Sequence, residues 1–177
     1  MMKLIKRVME ILNTILQTII FIRLFLIAYI DFKTQYIYDK DLIGVLIIIL
    51  IYQIYNNNFL NALISGIIAF IIGFLIFLVS YMIYQEEAFG LGDVYLLALL
   101  GCYWLWPQII HFLCFTFLFS GLVAIIVLII TKNKNCRIAL APILVFSIPL
   151  YYLFGNPTVY KLFSIFLNQT SFLSVFI

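Results

Sequence analysis

Two stretches of the chain, Ala62 to Tyr84 and Ile109 to Ile130, hold no charged residue. Each exceeds the roughly 20 residues with which a helix crosses a hydrocarbon core. In lipid every backbone N–H and C=O must find its partner within the protein, which leaves helices or closed barrels. Neither strand alternation nor evenly spaced hairpin turns occur, so the runs read as helices. With 67% hydrophobic and 10% charged residues in 177, the chain has more apolar surface than one soluble core of its size can hide, since ordinary domains run about 45 to 50% apolar. The expected fold class is therefore all-α: a polytopic membrane helix bundle of about six transmembrane helices, forming a single domain over residues 1–177.

Hydropathy places the six segments at about Ile11 to Ile30, Leu42 to Tyr55, Ala62 to Tyr84, Val94 to Trp106, Ile109 to Ile130 and Ile138 to Phe154, with a mixed tail after them. The breaks carry turn-forming residues: Asn56, Asn57 and Asn58, then Pro107, then Gly155, Asn156 and Pro157. Lys3, Lys6 and Arg7 precede the first segment as in a secretory signal, but no small-residue cleavage site follows and the apolar stretch is too long, so it is kept as a helix.

If each segment crosses once, the breaks at Asp31 to Asp41, Gln85 to Asp93 and Thr131 to Arg137 share one face. They contain Lys33, Lys40, Lys132, Lys134 and Arg137, whereas the opposite breaks between helices contain no Lys or Arg. Positive loops stay inside, which makes this face cytoplasmic and the protein a multi-pass component of the cell (inner or plasma) membrane. The same parity puts Lys3, Lys6 and Arg7 outside, so the N-terminus is expected either to lie along the interface or to signal a helix count off by one. Cys102, Cys114 and Cys136 are isolated and His111 is the one histidine. No zinc pattern or disulfide framework follows, no metal or cofactor is expected, and the small charge of +3 gives no nucleic-acid surface. Cys102 and Cys114 read as small buried hydrophobes, His111 as an interfacial or packing residue, and Tyr103, Trp104 and Trp106 as an outer interface belt.

Six of the seven acids fall in two breaks on that same face: Asp31, Asp39 and Asp41, then Glu86, Glu87 and Asp93. The segments that follow are only about 14 and 13 residues long and must borrow from the acidic breaks to span. Counting about 20 residues back from Trp106 reaches Glu87 and sets Asp93 roughly 9 Å inside the helix end. A carboxylate at such a depth marks a functional site by default. Gly90 and Gly92 precede it, removing two side chains and widening the backbone's conformational choice beside Asp93. If Asp31 and Asp93 lie within a few ångströms, they cannot both ionise cheaply. One is then a base for water and the other an acid for a leaving amine, with no metal, serine, cysteine or cofactor required.

The motifs resemble those of the type IV prepilin peptidases. "DFKTQYIYD", Asp31 to Asp39, is similar to the family's first aspartate motif. "EEAFGLGDVYLLALLG", Glu86 to Gly101, resembles the second, and "RIALAPIL", Arg137 to Leu144, looks like the proline-bearing segment near the family's C-terminus. The resemblance implies Asp31 and Asp93 as the catalytic pair of an aspartic endopeptidase, Gly90 and Gly92 as the glycines of G-x-G-D, and Glu87, Lys33 and Thr34 as motif support. It implies prepilin-like substrates whose short basic leader is cut on the cytoplasmic side. Tyr38, Tyr95, Ala139 and Ala141 depart from the family's usual proline, lysine, proline and glycine. Asp31 follows only thirty residues and no C-x-x-C occurs, so cleavage without methylation of the new N-terminus is expected.

Three other readings compete. The acids could merely cap helices or pair with Lys33, Lys40 and Arg137. Asp31 and Asp93 could form the relay of a cation or proton carrier, which would spread acids across the membrane depth instead of gathering them at one side. A presenilin-like protease shares G-x-G-D, but its Pro-Ala-Leu signature is not the order found in "ALAPIL". The oligomeric state is not encoded in any of these features.

Overall fold

The computed structural model describes residues 2–85, 89–131 and 139–155. It is a bundle of six α-helices, with no strand among the described residues. In chain order they are α1 (Met2–Thr34), α2 (Asp39–Tyr55), α3 (Phe59–Tyr84), α4 (Leu91–Tyr103), α5 (Gln108–Thr131) and α6 (Leu140–Leu150), which runs into a π-helical turn over Tyr151–Gly155. Three of them contain stretches long and apolar enough to cross a membrane unaided: Arg7–Thr34, Phe59–Ile83 and Gln108–Ile130. The first helix is unbroken from Met2 to Thr34, with no separate interfacial helix among the described residues. At 1.5 Å per residue it is about 50 Å long and overshoots the hydrocarbon thickness.

Helix α4 is the axis of the bundle. Val94, Leu96, Leu97, Leu99, Leu100, Gly101, Cys102 and Tyr103 are all buried, so it is covered on most sides, with Leu91 and Tyr95 left exposed along one side near its start. It packs on α2, α3 and α6, and most extensively on α3. Without a hydrophobic drive between helices in lipid, such contacts depend on small residues that let backbones approach. A Cβ on Gly101 would lie 2.6 Å from Ala69 Cβ and 2.7 Å from the Ser65 carbonyl oxygen. One on Gly66 would run into Cys102 Sγ, and one on Gly73 would meet Leu97 at 3.1 Å. Gly73 faces the start of α4 and Gly66 its end, so the two helices form an antiparallel hairpin. The remaining core comes from Ile20, Leu24 and Ile27 of α1, Leu42, Val45 and Ile49 of α2, and Leu144, Val145 and Ile148 of α6. The outward faces of α3 and α5, with Ile64, Ile67, Ile71, Leu75, Leu118, Leu122, Ile126 and Ile129, remain exposed as a lipid-contacting surface requires.

Helix α4 is only 13 residues long, about 20 Å, and does not extend back to Glu87. A short helix at membrane depth leaves terminal backbone groups that must be satisfied by protein. At its C-terminal end the buried Gln53 amide donates to the carbonyls of Cys102 (2.9 Å) and Tyr103 (3.2 Å). Nearby, Gln17 donates to Tyr52 Oη, Asn56 to Asn13, and the Trp106 N–H to Ser65 Oγ. Tyr103 and Trp104 do not form an outer belt. Both are buried, and Trp104 stacks on Phe112 and meets Tyr103 and Tyr151 edge-on, because the short α4 draws its C-terminal aromatics into the core. Trp106 is the exposed member. Cys102 is buried as expected, but Cys114 is exposed on α5.

Candidate active site

The opposite end of the bundle gathers the last turn of α1 and the first turns of α4 and α6. Asp31 is not in a loop. It occupies the last turn of α1, whose end is marked by Gln35 in the left-handed region (φ 52°) and by the Gln35 N–H bonded to the Asp31 carbonyl at 2.8 Å. The Thr34 hydroxyl bonds the Ile30 carbonyl at 2.9 Å and the Tyr36 carbonyl at 3.2 Å, fastening this turn to the helix. The next buried side chain is Ile37, before Tyr38 caps α2.

Asp31 is only 5% exposed, and its Oδ2 accepts the Ala141 N–H at 3.2 Å. Ala141 is the second residue of α6, so the carboxylate satisfies one of the orphan donors at a helix N-terminus. This contact ties the first acidic block to the third block across 110 positions of sequence. The capping role that competes with catalysis is thus present at Asp31, and it leaves the Oδ1 atom for other work.

Asp93 is the third residue of α4, after the cap Gly90. It sits about 5 Å from the cap along the helix, shallower than the 9 Å expected, because the helix starts at Leu91 and not near Glu87. Its carboxylate turns back to the Gly90 backbone, as an acid at the third helical position can. Its Oδ1 is buried and has no hydrogen-bond partner among the described residues. Buried polar atoms are nearly always paired, so an unpaired carboxylate oxygen aimed inward calls for a water or a ligand. The charge of Asp31 acts on the Asp93 carboxyl, so Asp93 lies within electrostatic reach of Asp31.

The two glycines act through what they lack. No described glycine has a positive φ, and Gly90 is extended at φ −75°, so conformational freedom is not their contribution. A Cβ on Gly92 would stand 3.0 Å from Ile37 Cβ, and one on Gly90 would stand 3.3 Å from Asp93 Oδ2. Gly92 thereby lets the turn after Asp31 close onto the start of α4. Ile37 and the Ala141 N–H were not singled out by sequence reasoning. The first is one apolar residue among many, and the second is a backbone donor that no side-chain pattern reveals.

Of the supporting residues, Lys33 is exposed and places its ammonium over the Tyr29 ring, 5.2 Å from the centroid. Asp31, two residues from each, lies on the other side of the helix. Thr34 holds the turn as described. Glu87 lies outside the described residues, as do Arg137 and the lysines before it. Asp39 and Asp41 stand in the first turn of α2, where negative charge complements the helix dipole. No group of His, Cys, Asp and Glu that could hold a metal is found among the described residues.

A family model described as the type IV leader peptidase family matches residues 18–130. The chain belongs to this family. The matched stretch carries Asp31, Gly90, Gly92 and Asp93, and ends before α6. The chain is also similar to a prepilin leader peptidase/N-methyltransferase of Myxococcus xanthus (strain DK1622), at 30% identity over 79 residues, which is 45% of this chain and 24% of that protein. The chain thus spans about a quarter of that relative's length. No solved structure matches it. Membership makes the cluster around Asp31 and Asp93 the candidate functional site of the chain.

Proposed function

We propose that this leader peptidase is an aspartic endopeptidase in which Asp31 and Asp93 activate water to remove the short basic leader of type IV prepilin-like proteins. The observation that carries the reading is the convergence of three distant parts of the chain on these two carboxyls: Asp31 against the Ala141 N–H, Ile37 against Gly92, and Asp93 with a buried Oδ1 that has no hydrogen-bond partner among the described residues. A coupled pair of carboxyls shares a proton at low cost. The ionised member takes a proton from water as the water oxygen attacks the scissile carbonyl carbon. The protonated member donates to that carbonyl oxygen and, as the C–N bond breaks, a proton passes to the leaving amine.

The basic residues in and beside the alternate breaks of the sequence, Lys33, Lys40, Lys132, Lys134 and Arg137, support a site facing the cytoplasm, in the plasma or inner membrane. The test is co-expression with a prepilin-like substrate, following leader loss by gel shift and the new N-terminus by mass. Asp31→Asn and Asp93→Asn should each lower the cleavage rate by about 10²- to 10⁴-fold, the usual contribution of a positioned acid or base. If both variants still process substrate, or if vesicles show acid-dependent proton flux with no cleavage, the dyad is wrong and the carrier reading takes its place.

A further inference from the structure

Arg23 lies in α1 eight residues before Asp31, about 12 Å further into the bundle's length, and eleven residues, about 17 Å, from the helix end at Thr34. That is close to the middle of a 30 Å hydrocarbon core. Its side chain is nonetheless on the outer surface, flanked by exposed Ile19, Ile22 and Leu26. Among the described residues it makes no hydrogen bond or ion pair.

Among the described residues no acid lies at this depth. Glu10 is thirteen residues away along α1, about 20 Å, Asp31 is in the last turn of α1, and Asp39, Asp41 and Asp93 are in the first turns of α2 and α4. Asp31 is buried and bonded to Ala141. A cation facing lipid at mid-depth is costly, and such residues pair with an opposite charge or mark a pathway. A second copy packed in parallel through this face would set Arg23 against Arg23, so a copy of the chain is the wrong partner.

Direction narrows the choice further. At 100° per residue Arg23 stands about 80° round the helix from Asp31. Leu12, Ile19, Ile30 and Thr34 lie along the same line as Arg23, and the line ends beside Asp31. A helix laid on it would be apolar along its length, would need one anionic group at the level of Arg23, and would bring its cytoplasmic end to the flank of the carboxyl pair.

We propose that Arg23 and this line of α1 dock the transmembrane helix of the protein substrate, and that Arg23 reads a carboxylate about eight residues beyond the scissile bond. The proposal rests on the peptidase reading, and the two are separated by measuring binding apart from cleavage.

Single-span peptides bearing a basic leader, with Glu or Gln at that position, are titrated against the Asp93→Asn protein in neutral-lipid nanodiscs. The Glu peptide should bind about three- to tenfold more tightly, as intramembrane polar pairs commonly allow. Adding Arg23→Leu should abolish the preference, and Arg23→Lys should retain it. With the wild-type catalytic pair, Arg23→Leu should raise KM for the Glu peptide and leave kcat unchanged. Equal binding of the two peptides, or a preference that survives Arg23→Leu, overturns the proposal. So does a requirement for Arg23 that appears only as a lower unfolding temperature in anionic lipid, which would assign it to a headgroup phosphate. A binding preference that holds while the wild-type protein cleaves neither peptide would keep the docking surface and sink the peptidase reading instead.

Discussion

Replacing Gly92 by alanine should separate catalysis from folding at the point where two motifs meet. The added Cβ would stand 3.0 Å from Ile37 Cβ and 3.4 Å from its Cδ1. Carbon atoms rest at about 3.5 to 4.0 Å, so the turn after Asp31 must give by a few tenths of an ångström. Rotating Ile37 does not remove the conflict, because the nearest atom is its Cβ. A displacement of about 1 Å in a catalytic array costs up to 10²-fold, so a shift of a few tenths should lower leader cleavage by about three- to tenfold. Overpacking of this kind costs about 1 to 3 kcal/mol, which is a modest drop in unfolding temperature for a bundle held elsewhere by the α3–α4 hairpin. Gly44→Ala and Gly121→Ala are matched controls, since a Cβ at either meets nothing within 4 Å. Both glycines lie inside helices, so alanine there should leave the rate unchanged and stabilise by about 0.5 to 1 kcal/mol. The assay is leader cleavage by purified protein in detergent, paired with thermal unfolding. Wild-type cleavage by Gly92→Ala would refute the idea that Ile37 and Gly92 set the spacing of Asp31 and Asp93.

Gly101→Ala should lower stability by about 1 to 3 kcal/mol, because its Cβ would collide with Ala69 and the Ser65 carbonyl across the α3–α4 contact; thermal unfolding reads it directly. Gln53→Leu should cost about 1 to 3 kcal/mol by leaving the Cys102 and Tyr103 carbonyls buried without their donor. It should change the unfolding temperature more than the initial rate, since it lies at the end of the bundle away from the acids. Lys33→Ala removes an exposed cation–π contact worth about 0.5 to 1 kcal/mol, and cleavage should stay within about twofold of wild type. A larger rate loss there would give Lys33 a direct part in substrate handling.

The amino-acid sequence alone determined the class of fold and which end of the bundle holds the acids. Charge-free runs such as Ala62 to Tyr84 can satisfy their backbone in lipid only as helices, and six acids confined to two breaks single out one end. The family's motifs are local in sequence, so Asp31, Gly90, Gly92 and Asp93 are legible from the order of residues by itself. What hydropathy does not carry is which face of a helix meets another, since an apolar residue scores alike against lipid or protein. For that reason Tyr103 and Trp104 read as an outer belt although they are core, while Cys114 reads as buried although it is exposed. Span length places the start of α4 too early because it assumes that each helix must satisfy the membrane by itself. In the bundle its neighbours cover the shortfall, and Gln53 closes the open C-terminal end. Only tertiary structure brought the Ala141 N–H to Asp31 and Ile37 to Gly92. These are contacts between residues far apart in the chain, set by close backbone approach and a backbone donor, and neither leaves a mark in local composition.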